Sequence, residues 1–410
     1  MDREKIDRCN RIYPWFSGLS ADLLFFIAID TLWFTVEKGM DSFRILAMFT
    51  VAAVATLVLQ RPMLRFIEKA GNTVAVRMGV IFMLAGAVFM TFPTNYGMIV
   101  FGQSAYKFGT SMKAMDAALL KNNLNLLEKP EDQFISLRNH AMTVYAVVTC
   151  VIAFVAGPMF NLNHYLPMYF CIGFCIVDLV MSFFIRDYTD GKQRETGNQK
   201  EGADRDIRLS PFIITCIVVL GIFTPAIVSG QCNGKLFMQE EMMKSFSVSQ
   251  TAAVLTFSIA ISRIVRIVAN LLFDRFYLKM KDMIIPLFSI SFCLSFVIML
   301  GSALAPLHVA PKFIIMSLGY YILLAIRDPF TTYINGLILA NTSRQVQQKA
   351  LVYVNLMNQI MGTAFNLCFT VLLLRFTMFS IMVITFVCSL AELVVCIRLY
   401  RMIRWSRISD

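Results

Sequence analysis

The sequence has little charge, little proline and almost no histidine. Only 15% of its 410 residues are Asp, Glu, Lys or Arg, whereas 58% are hydrophobic. Soluble domains average about 25% charged residues, so this composition argues against a soluble fold. The 12 prolines and the mean hydropathy of +0.66 favour long apolar helices. The apolar runs also lack the period-two alternation of a membrane barrel, which leaves a helical membrane protein as the prediction.

The sequence offers almost nothing for metal or cofactor chemistry. Its three histidines are far apart, and most of its ten cysteines fall inside apolar runs, where a thiol behaves as a small hydrophobe. The Gly-x-x-x-x-Gly-Lys-Ser/Thr loop that binds nucleoside triphosphates does not occur. We therefore expect no metal, no cofactor and no enzymatic activity.

Twelve apolar runs are long enough to cross a bilayer, for which about 20 residues are needed. The predicted spans are 17–36, 43–60, 73–92, 97–121, 141–160, 165–185, 210–230, 249–272, 283–305, 313–339, 351–374 and 377–398. The one long polar segment, 186–209, is too rich in charge to fold alone and is predicted to be a linker. The expected organisation is a polar N-terminus (1–16), six spans (17–185), the linker, six spans (210–398) and a basic tail (399–410).

Basic residues are distributed unequally between the two sides of the predicted membrane. With the N-terminus in the cytoplasm, 26 of the 37 Lys and Arg residues fall on that side and six on the other. Because cytoplasmic loops are enriched in Lys and Arg, both termini are predicted to be cytoplasmic, in a cell-membrane protein. The dispersal of these residues over many loops also removes the motive for nucleic-acid binding, although the net charge is +11.

The two halves carry a faint repeat. Arg65 and Arg275 each follow a span and lie 210 positions apart, and Asp116 and Asp328 lie 212 apart. The segment from Asn270 through Asp274-Arg275 to Lys281 is similar to a Gly-x-x-x-Asp-Arg signature, with Asn in the glycine position. The first copy keeps Arg65, with Gln60 and Leu64 in place of Gly and Asp.

With these motifs and the six-plus-six division, the chain resembles the major facilitator superfamily over nearly its whole length. Ala156-Gly157-Pro158 resembles the end of a further motif of that family. The resemblance implies two six-helix bundles that rock around a central cavity lined by spans 1, 4, 7 and 10. It also implies a cytoplasmic gate, for which the candidates are Arg65, Arg263, Arg266, Asp274 and Arg275.

Ionisable residues inside the spans are the candidates for proton coupling or substrate binding, because charge at that depth is costly unless it has a role or a partner. Lys113 and Asp116 are three residues apart and share a helix face. They could form a structural tie or a proton switch, and both interpretations stay open. Lys107 points elsewhere, and Asp30 lies near mid-membrane, where a carboxylate could bind a proton reversibly or pair with a neighbouring span.

The cost of charge inside a span also selects Arg327 and Asp328 in Arg327-Asp328-Pro329 of span 10. This triplet is interpreted as the counterpart of Lys113 and Asp116 in span 4. The two charges could neutralise each other's surroundings, and Pro329 is expected to loosen the helix. Span 11 adds amides, notably Asn355 and Asn358, which could hydrogen-bond between helices or line the cavity.

Together these features predict a secondary transporter that moves a small organic solute or amphipathic compound by alternating access. An ion gradient, with protons as the coupling ion, would drive it. The expected partners are a small-molecule substrate and the lipid bilayer, and the protein is expected to be a monomer. The alternatives are a polytopic membrane enzyme, which would need a nucleophile or clustered ligands, and a transporter-fold sensor.

Overall fold

The protein was analysed as a computed structural model, which describes residues 3–129, 131–189, 210–280, 283–340 and 344–406. The first half of the chain contributes eight α-helices, and a π-helical turn, Trp33–Glu37, extends α2. These helices are α1 (Arg3–Leu19), α2 (Phe26–Leu32), α3 (Ser42–Ala70), α4 (Asn72–Thr91), α5 (Tyr96–Lys113), α6 (Asp116–Leu126), α7 (Glu131–Leu162) and α8 (Leu166–Ser182).

The second half of the chain contributes six longer helices. They are α9 (Pro211–Met243), α10 (Val248–Met280), α11 (Ile284–Leu304), α12 (Val309–Ala340), α13 (Arg344–Leu373) and α14 (Met378–Ser406). Ser210 begins α9 by accepting a hydrogen bond from Ile213 N, next to a proline in the first turn, where its missing N–H is no loss. No strand occurs in any of the described ranges.

The chain forms two compact units. Unit 1 comprises Met1–Lys38 and Met48–Asp204, and unit 2 comprises Gly39–Ala47 and Arg205–Asp410. In unit 1, α4 packs along α5 and α8, and α1 packs along α7. In unit 2, α9 packs on α12, α13 and α14, while α12 also contacts α10 and α11. The limits of the two six-span halves, 17–185 and 210–398, stay predictions.

Nine helices in the described part of the chain are long and apolar enough to cross a membrane, and α8 is a shorter apolar helix. Their surfaces expose large apolar side chains such as Val151, Leu271 and Val394, which are 58%, 64% and 67% exposed. A water-soluble protein would bury most of this surface, whereas lipid solvates it. The chain is an integral membrane protein.

Two predicted spans are not continuous helices, so twelve spans are not confirmed as twelve separate helices. Span 1 divides between α1, which ends at Leu19, and α2, and Phe25 immediately before α2 has a φ of 65°, which is uncommon for a residue with a side chain. Span 4 divides at Ala114 and Met115, between α5 and α6. Charged residues adjoin both breaks, because Asp22 lies in the first and Lys113 and Asp116 flank the second.

The start of the predicted linker is held against unit 1. Asp187 is 1% exposed, and its carboxylate accepts 2.8 Å hydrogen bonds from the amides of Asn72 and Asn122. Asn123 donates to Arg186 O at 2.8 Å and accepts from Tyr188 N at 3.1 Å. These contacts fix residues 186–188 on α4 and α6. The rest of the predicted linker, from residue 190 to 209, lies outside the described residues.

The close approach of α4 and α5 depends on two glycines. A Cβ atom on Gly79 would lie 2.5 Å from Lys113 N, and one on Gly109 would lie 2.6 Å from Gly79 O. Both obstacles are backbone atoms, which no side-chain rotation can move. Small residues at such contacts allow helices to pack tightly within a membrane, where lipid tails remove the hydrophobic drive for association.

We therefore expect Gly79→Ala and Gly109→Ala each to destabilise the protein, by about 1–3 kcal/mol for overpacking. The matched control is Gly173→Ala in α8, because a Cβ there meets nothing within 4 Å. Thermal unfolding of the purified protein in detergent measures the difference. Equal melting temperatures for Gly79→Ala and Gly173→Ala would contradict the role of the close contact.

Candidate functional site

In unit 1, the side chains of Lys113 and Asp116 form an ion pair with 3.0 Å between Nζ and Oδ2. Ser17 Oγ on α1 donates to the same carboxylate at 2.7 Å, and Lys113 Nζ donates to Ser17 O at 3.1 Å. Arg138 on α7 approaches the other carboxylate oxygen at 3.6 Å. The pair predicted from the i,i+3 spacing is therefore present, within a network that joins α1, α5, α6 and α7.

The helix break explains why Asp116 occupies this position. Asp116 is the first residue of α6, so its carboxylate lies where the unpaired N–H groups and the helix dipole favour negative charge. Lys113 ends α5, where a cation is favoured. Both residues are deeply buried, at 6% and 2% exposure, so each charge needs the other. This geometry favours a structural tie over a group that exchanges protons with water.

A second polar contact in unit 1 involves the break inside the first predicted span. The hydroxyl of Tyr106 on α5 donates to Asp22, whose carboxylate also accepts from Leu23 N at 2.8 Å. Asp30 on α2 is half-buried and accepts from Thr31 N at 2.7 Å. The carboxylates of Asp22 and Asp30 both act electrostatically on the buried phenol of Tyr106. The predicted mid-membrane carboxylate therefore interacts with a phenol that was one of the polar residues of predicted span 4 but not a candidate site residue.

Lys107 is exposed on α5, with Nζ 5.5 Å from the centre of the Tyr106 ring. It lies apart from the pair of Lys113 and Asp116, as the helix period predicts.

The end of the π-helical turn carries another cluster of polar groups. Glu37 Oε2 lies 3.0 Å from His164 Nδ1. Lys38 Nζ donates to Thr91 O at 2.6 Å and to Pro93 O at 3.1 Å, and partial burial lowers the pKa of this amine. These contacts join the end of α2 to the ends of α4 and α7.

In unit 2, Asp328 pairs with Arg266 and not with its neighbour Arg327. Arg266 on α10 donates from Nε and Nη2 to the two carboxylate oxygens at 2.5 and 2.9 Å, the bidentate geometry of a strong pair. Asn270, one turn further along α10, donates to the same carboxylate at 3.3 Å. Adjacent helical residues point about 100° apart, which directs Arg327 to another helix, although its charge still acts on the carboxylate of Asp328. That the two charges neutralise their surroundings stays a prediction.

Arg327 points toward α9, where it donates to Gln231 Oε1 at 3.2 Å. Helix α12 continues through Pro329 to Ala340, so the expected loosening does not interrupt it. Pro329 has no backbone N–H, so it donates no hydrogen bond within the helix. Thr331 Oγ1 donates to the carbonyl of Arg327 at 2.8 Å, which adds a local bond beside the proline.

The structure groups the predicted gate residues differently from the sequence. Arg266 belongs to the contact with Asp328. Arg263 lies one turn before Arg266 on α10 and is half-buried. Arg65 and Arg275 are exposed, near the ends of α3 and α10. The side chains of Asp274 and Asn355 lie outside the described residues. Asn358 is half-buried on α13, and its Oδ1 has no hydrogen-bond partner among the described residues.

Several members of these networks were missed from the sequence. Gln231 was not a candidate, and Asn270 was noted only as part of the Asp-Arg motif, although the i,i+4 spacing of Arg266 and Asn270 was a usable signal for a shared partner. Lys235 lies beyond the predicted end of span 7 at residue 230, but α9 continues through it and leaves it 6% exposed. Ser17, Tyr106 and Arg138 come from other helices, and no spacing along one helix predicts such partners.

The described side chains contain no group of three or more His, Cys, Asp or Glu residues that could hold a metal ion.

This chain is similar to known proteins at the level of structure. No family profile matches the chain, and no curated protein sequence matches it. The nucleoside transporter NupG matches 97% of this chain and 99% of its own, with 11% identity and a TM-score of 0.67. The peptide transporter POT, solved as a mutant, matches 98% of this chain and 94% of its own, with 13% identity and a TM-score of 0.65.

A bacterial homologue of the iron transporter ferroportin, in an inward-facing state, covers 95% of this chain and 98% of its own, with 10% identity and a TM-score of 0.69. The chain has the major facilitator fold. At these identities the likeness is one of fold, and it agrees with the fold that the resemblance implied.

Proposed function

We propose that the protein is a secondary transporter that works by alternating access and moves a small organic solute or amphipathic compound. The supporting observation is the shared fold over 95–98% of the chain with transporters of nucleosides, peptides and iron. The solutes named for these neighbours differ so widely that none of them is assigned to this chain. A proton gradient is proposed as the driving force, with Asp30 as the first candidate to bind the proton.

The internal charges support the same proposal. Arg266, Arg327 and Asp328 lie near the middles of helices that are 32–33 residues long. Ionisable groups at mid-membrane are costly and are functional candidates by default. We propose that Asp30, Arg327 and Asn358 contribute to the substrate and coupling sites. Lys113 and Asp116 are proposed to hold unit 1 together.

The distribution of basic residues supports a proposal for topology. Both termini are proposed to be cytoplasmic, in the cell membrane, with two six-helix bundles in a monomeric protein. Arg65, Arg263 and Arg275 are proposed to belong to the cytoplasmic gate, where the exposed positions of Arg65 and Arg275 would allow them to contact loops or lipid headgroups.

Reconstitution into liposomes tests the proposed function. Uptake of a broad set of radiolabelled solutes, including nucleosides, short peptides, organic acids and iron(II), is measured with and without an imposed pH gradient. We expect at least one solute to accumulate, and a protonophore to abolish its accumulation. Liposomes without protein provide the background. The absence of both solute exchange and proton flux across the whole set would contradict the proposal.

A further inference from the structure

A glutamate is buried in the middle of the last helix of unit 2. Glu392 is 2% exposed and lies at the midpoint of α14. It shares one buried helix face with Thr385, Ser389 and Cys396, which follow each other at helical spacing. Helix α14 packs on α9 and α11. The carboxyl of Glu392 is therefore enclosed by protein, halfway along a helix that is long enough to cross the membrane.

The neighbours of Glu392 on α14 offer it little hydrogen bonding. Its Oε1 accepts from Cys396 Sγ at 3.6 Å, and a thiol is a weak donor. Its Oε2 is buried and has no hydrogen-bond partner among the described residues. The hydroxyls of Thr385 and Ser389 donate to carbonyls of their own helix at 2.8 and 2.7 Å. The polar groups on the same helix face therefore leave the carboxyl largely unsatisfied.

Helices α11 and α13 approach this part of α14 with thiols. Cys293 Sγ on α11 donates to Ser389 O at 3.3 Å and accepts from Ser389 Oγ at 3.4 Å. The carboxyl of Glu392 acts electrostatically on this thiol, and the sequence of α11 contains no charged residue. On α13, Cys368 interacts with Cys388, which lies one turn before Glu392. Neither helix supplies a cation to the carboxyl among the described residues.

Helix α9 supplies no charge at this level either, within the described part of the chain. Helices α9 and α14 run antiparallel, with Thr215 near Met402 at one end of their contact and Phe237 near Phe379 at the other. Glu392 lies about midway between these two contacts. The ionisable residues of α9 nearest to that level, about two to three turns away, are Cys216, Cys232 and Lys235.

This environment favours a neutral carboxyl over a carboxylate. A buried carboxylate without a cation or several donors is so costly that such a group keeps its proton instead. Arg398, further along α14, is exposed and lies on a different face of the helix, so it does not compensate a charge on Glu392. A neutral carboxyl needs only one acceptor for its O–H, and its other oxygen already accepts from Cys396.

We propose that Glu392 is a proton-binding site that the transporter must keep occupied during its cycle. The bound proton allows α14 to pack on α11 at mid-membrane depth. Its release to water would leave a charge beside Cys293 and Cys396, with no counter-ion among the described residues. This inference rests on the proposed transport function and adds a site that differs from the coupling group, because its proton stays bound through the cycle.

Infrared spectroscopy of the full-length protein, in a detergent without ester groups, tests whether Glu392 is protonated. The difference between the wild type and Glu392→Gln at neutral pH should contain the carbonyl band of a neutral carboxyl. The matched control is Asp41→Asn, which removes an exposed carboxylate and should give carboxylate bands only. Carboxylate bands in the Glu392→Gln difference would overturn the proposal. Glu392→Asp keeps a carboxyl and should shift the band; an unchanged band would show that Glu392 is not its source.

Thermal unfolding in the same detergent gives a second measurement. Glu392→Gln exchanges one neutral group for another of the same shape, so its Tm at neutral pH should lie within about 2 °C of that of the wild type. Asp116→Asn also removes a buried carboxyl, but one that is paired with Lys113, and its Tm should fall much further. An equal fall in both variants would show that Glu392 is ionised and would overturn the proposal.

Solute exchange in proteoliposomes, at equal pH on both sides, tests the role in the cycle. The probe is whichever solute of the liposome set accumulates. Buried glutamates ionise near about pH 8–9, so rates are measured from neutral pH to about pH 9.5. Wild-type exchange should fall by about ten-fold for each pH unit above the ionisation of Glu392, because the protonated fraction falls by that factor. Glu392→Gln should keep its neutral-pH rate, and Asp41→Asn should follow the wild type.

The outcomes separate this inference from the proposed function. Exchange by Glu392→Gln that falls with pH as in the wild type would overturn the role of the proton and leave the transporter intact. Wild-type exchange that does not change with pH would do the same. Absence of exchange and proton flux for every solute would contradict the transporter, and the role of Glu392 in its cycle with it, whatever the infrared spectra show.

Discussion

Asp30→Asn is expected to abolish solute uptake driven by a pH gradient while solute exchange at equal pH continues. Asparagine has nearly the same shape and keeps an oxygen that can accept from Thr31 N, as Asp30 does at 2.7 Å. It cannot bind and release a proton. If Asp30 is the coupling group, its loss removes the link to the proton gradient, and gradient-driven accumulation should fall ten-fold or more. Each factor of ten corresponds to about 1.4 kcal/mol of lost driving free energy.

The matched control is Asp41→Asn. Asp41 is an exposed carboxylate that accepts from Arg44 N at the start of α3, so the same chemical change is made at an exposed position. Both variants are measured in proteoliposomes with the same solute, first with a pH gradient and then in counterflow. Wild-type accumulation by Asp30→Asn would remove Asp30 from the coupling mechanism.

The sequence predicted the fold through quantities that do not depend on tertiary contacts. Apolar runs of sufficient length indicated the spans, since the bilayer forces each run to satisfy its backbone bonds within a helix. The repeat of Arg65 and Arg275, together with the Asp-Arg motif, indicated the superfamily. The inference of the spans does not need sequence identity, because it depends on the length and polarity of the runs; the solved transporters that share this fold are only 10–13% identical to this chain.

The breaks in spans 1 and 4 were not predictable from hydropathy. A window of hydrophobic residues averages over Asp22 and over the pair Lys113 and Asp116, so it reports one long span in each place. The positive φ at Phe25 has no signal in the sequence, because such conformations are usually adopted by glycine.

The partners of the candidate charges were predictable only when they lie close together in the sequence. Lys113 and Asp116 are three residues apart, and their ion pair follows from the helix period. Arg266 and Asp328 lie 62 residues apart, and Arg327 and Gln231 lie 96 apart. Such pairs depend on which helices pack together and on how each helix is rotated about its axis, which a single sequence does not reveal.

Asp116→Asn is expected to be the most destabilising single substitution of the candidate charges. It would leave the ammonium of Lys113 buried at 6% exposure with a neutral amide in place of its carboxylate, and Arg138 would lose the same partner. Breaking a buried ion pair by removing one member costs about 3–5 kcal/mol. Thermal unfolding in detergent should therefore show a large fall in Tm, with loss of transport as a consequence.

The double variant Lys113→Gln/Asp116→Asn separates electrostatic support from a role in proton coupling. If the pair is structural, removing both charges should recover part of the lost stability, with a coupling free energy of about 0.5–3 kcal/mol between the two sites. Lys121→Gln, which removes an exposed charge from α6, is the control and should leave Tm nearly unchanged. A fully stable Asp116→Asn protein that no longer transports would refute the structural tie and return Asp116 to the proton-coupling candidates.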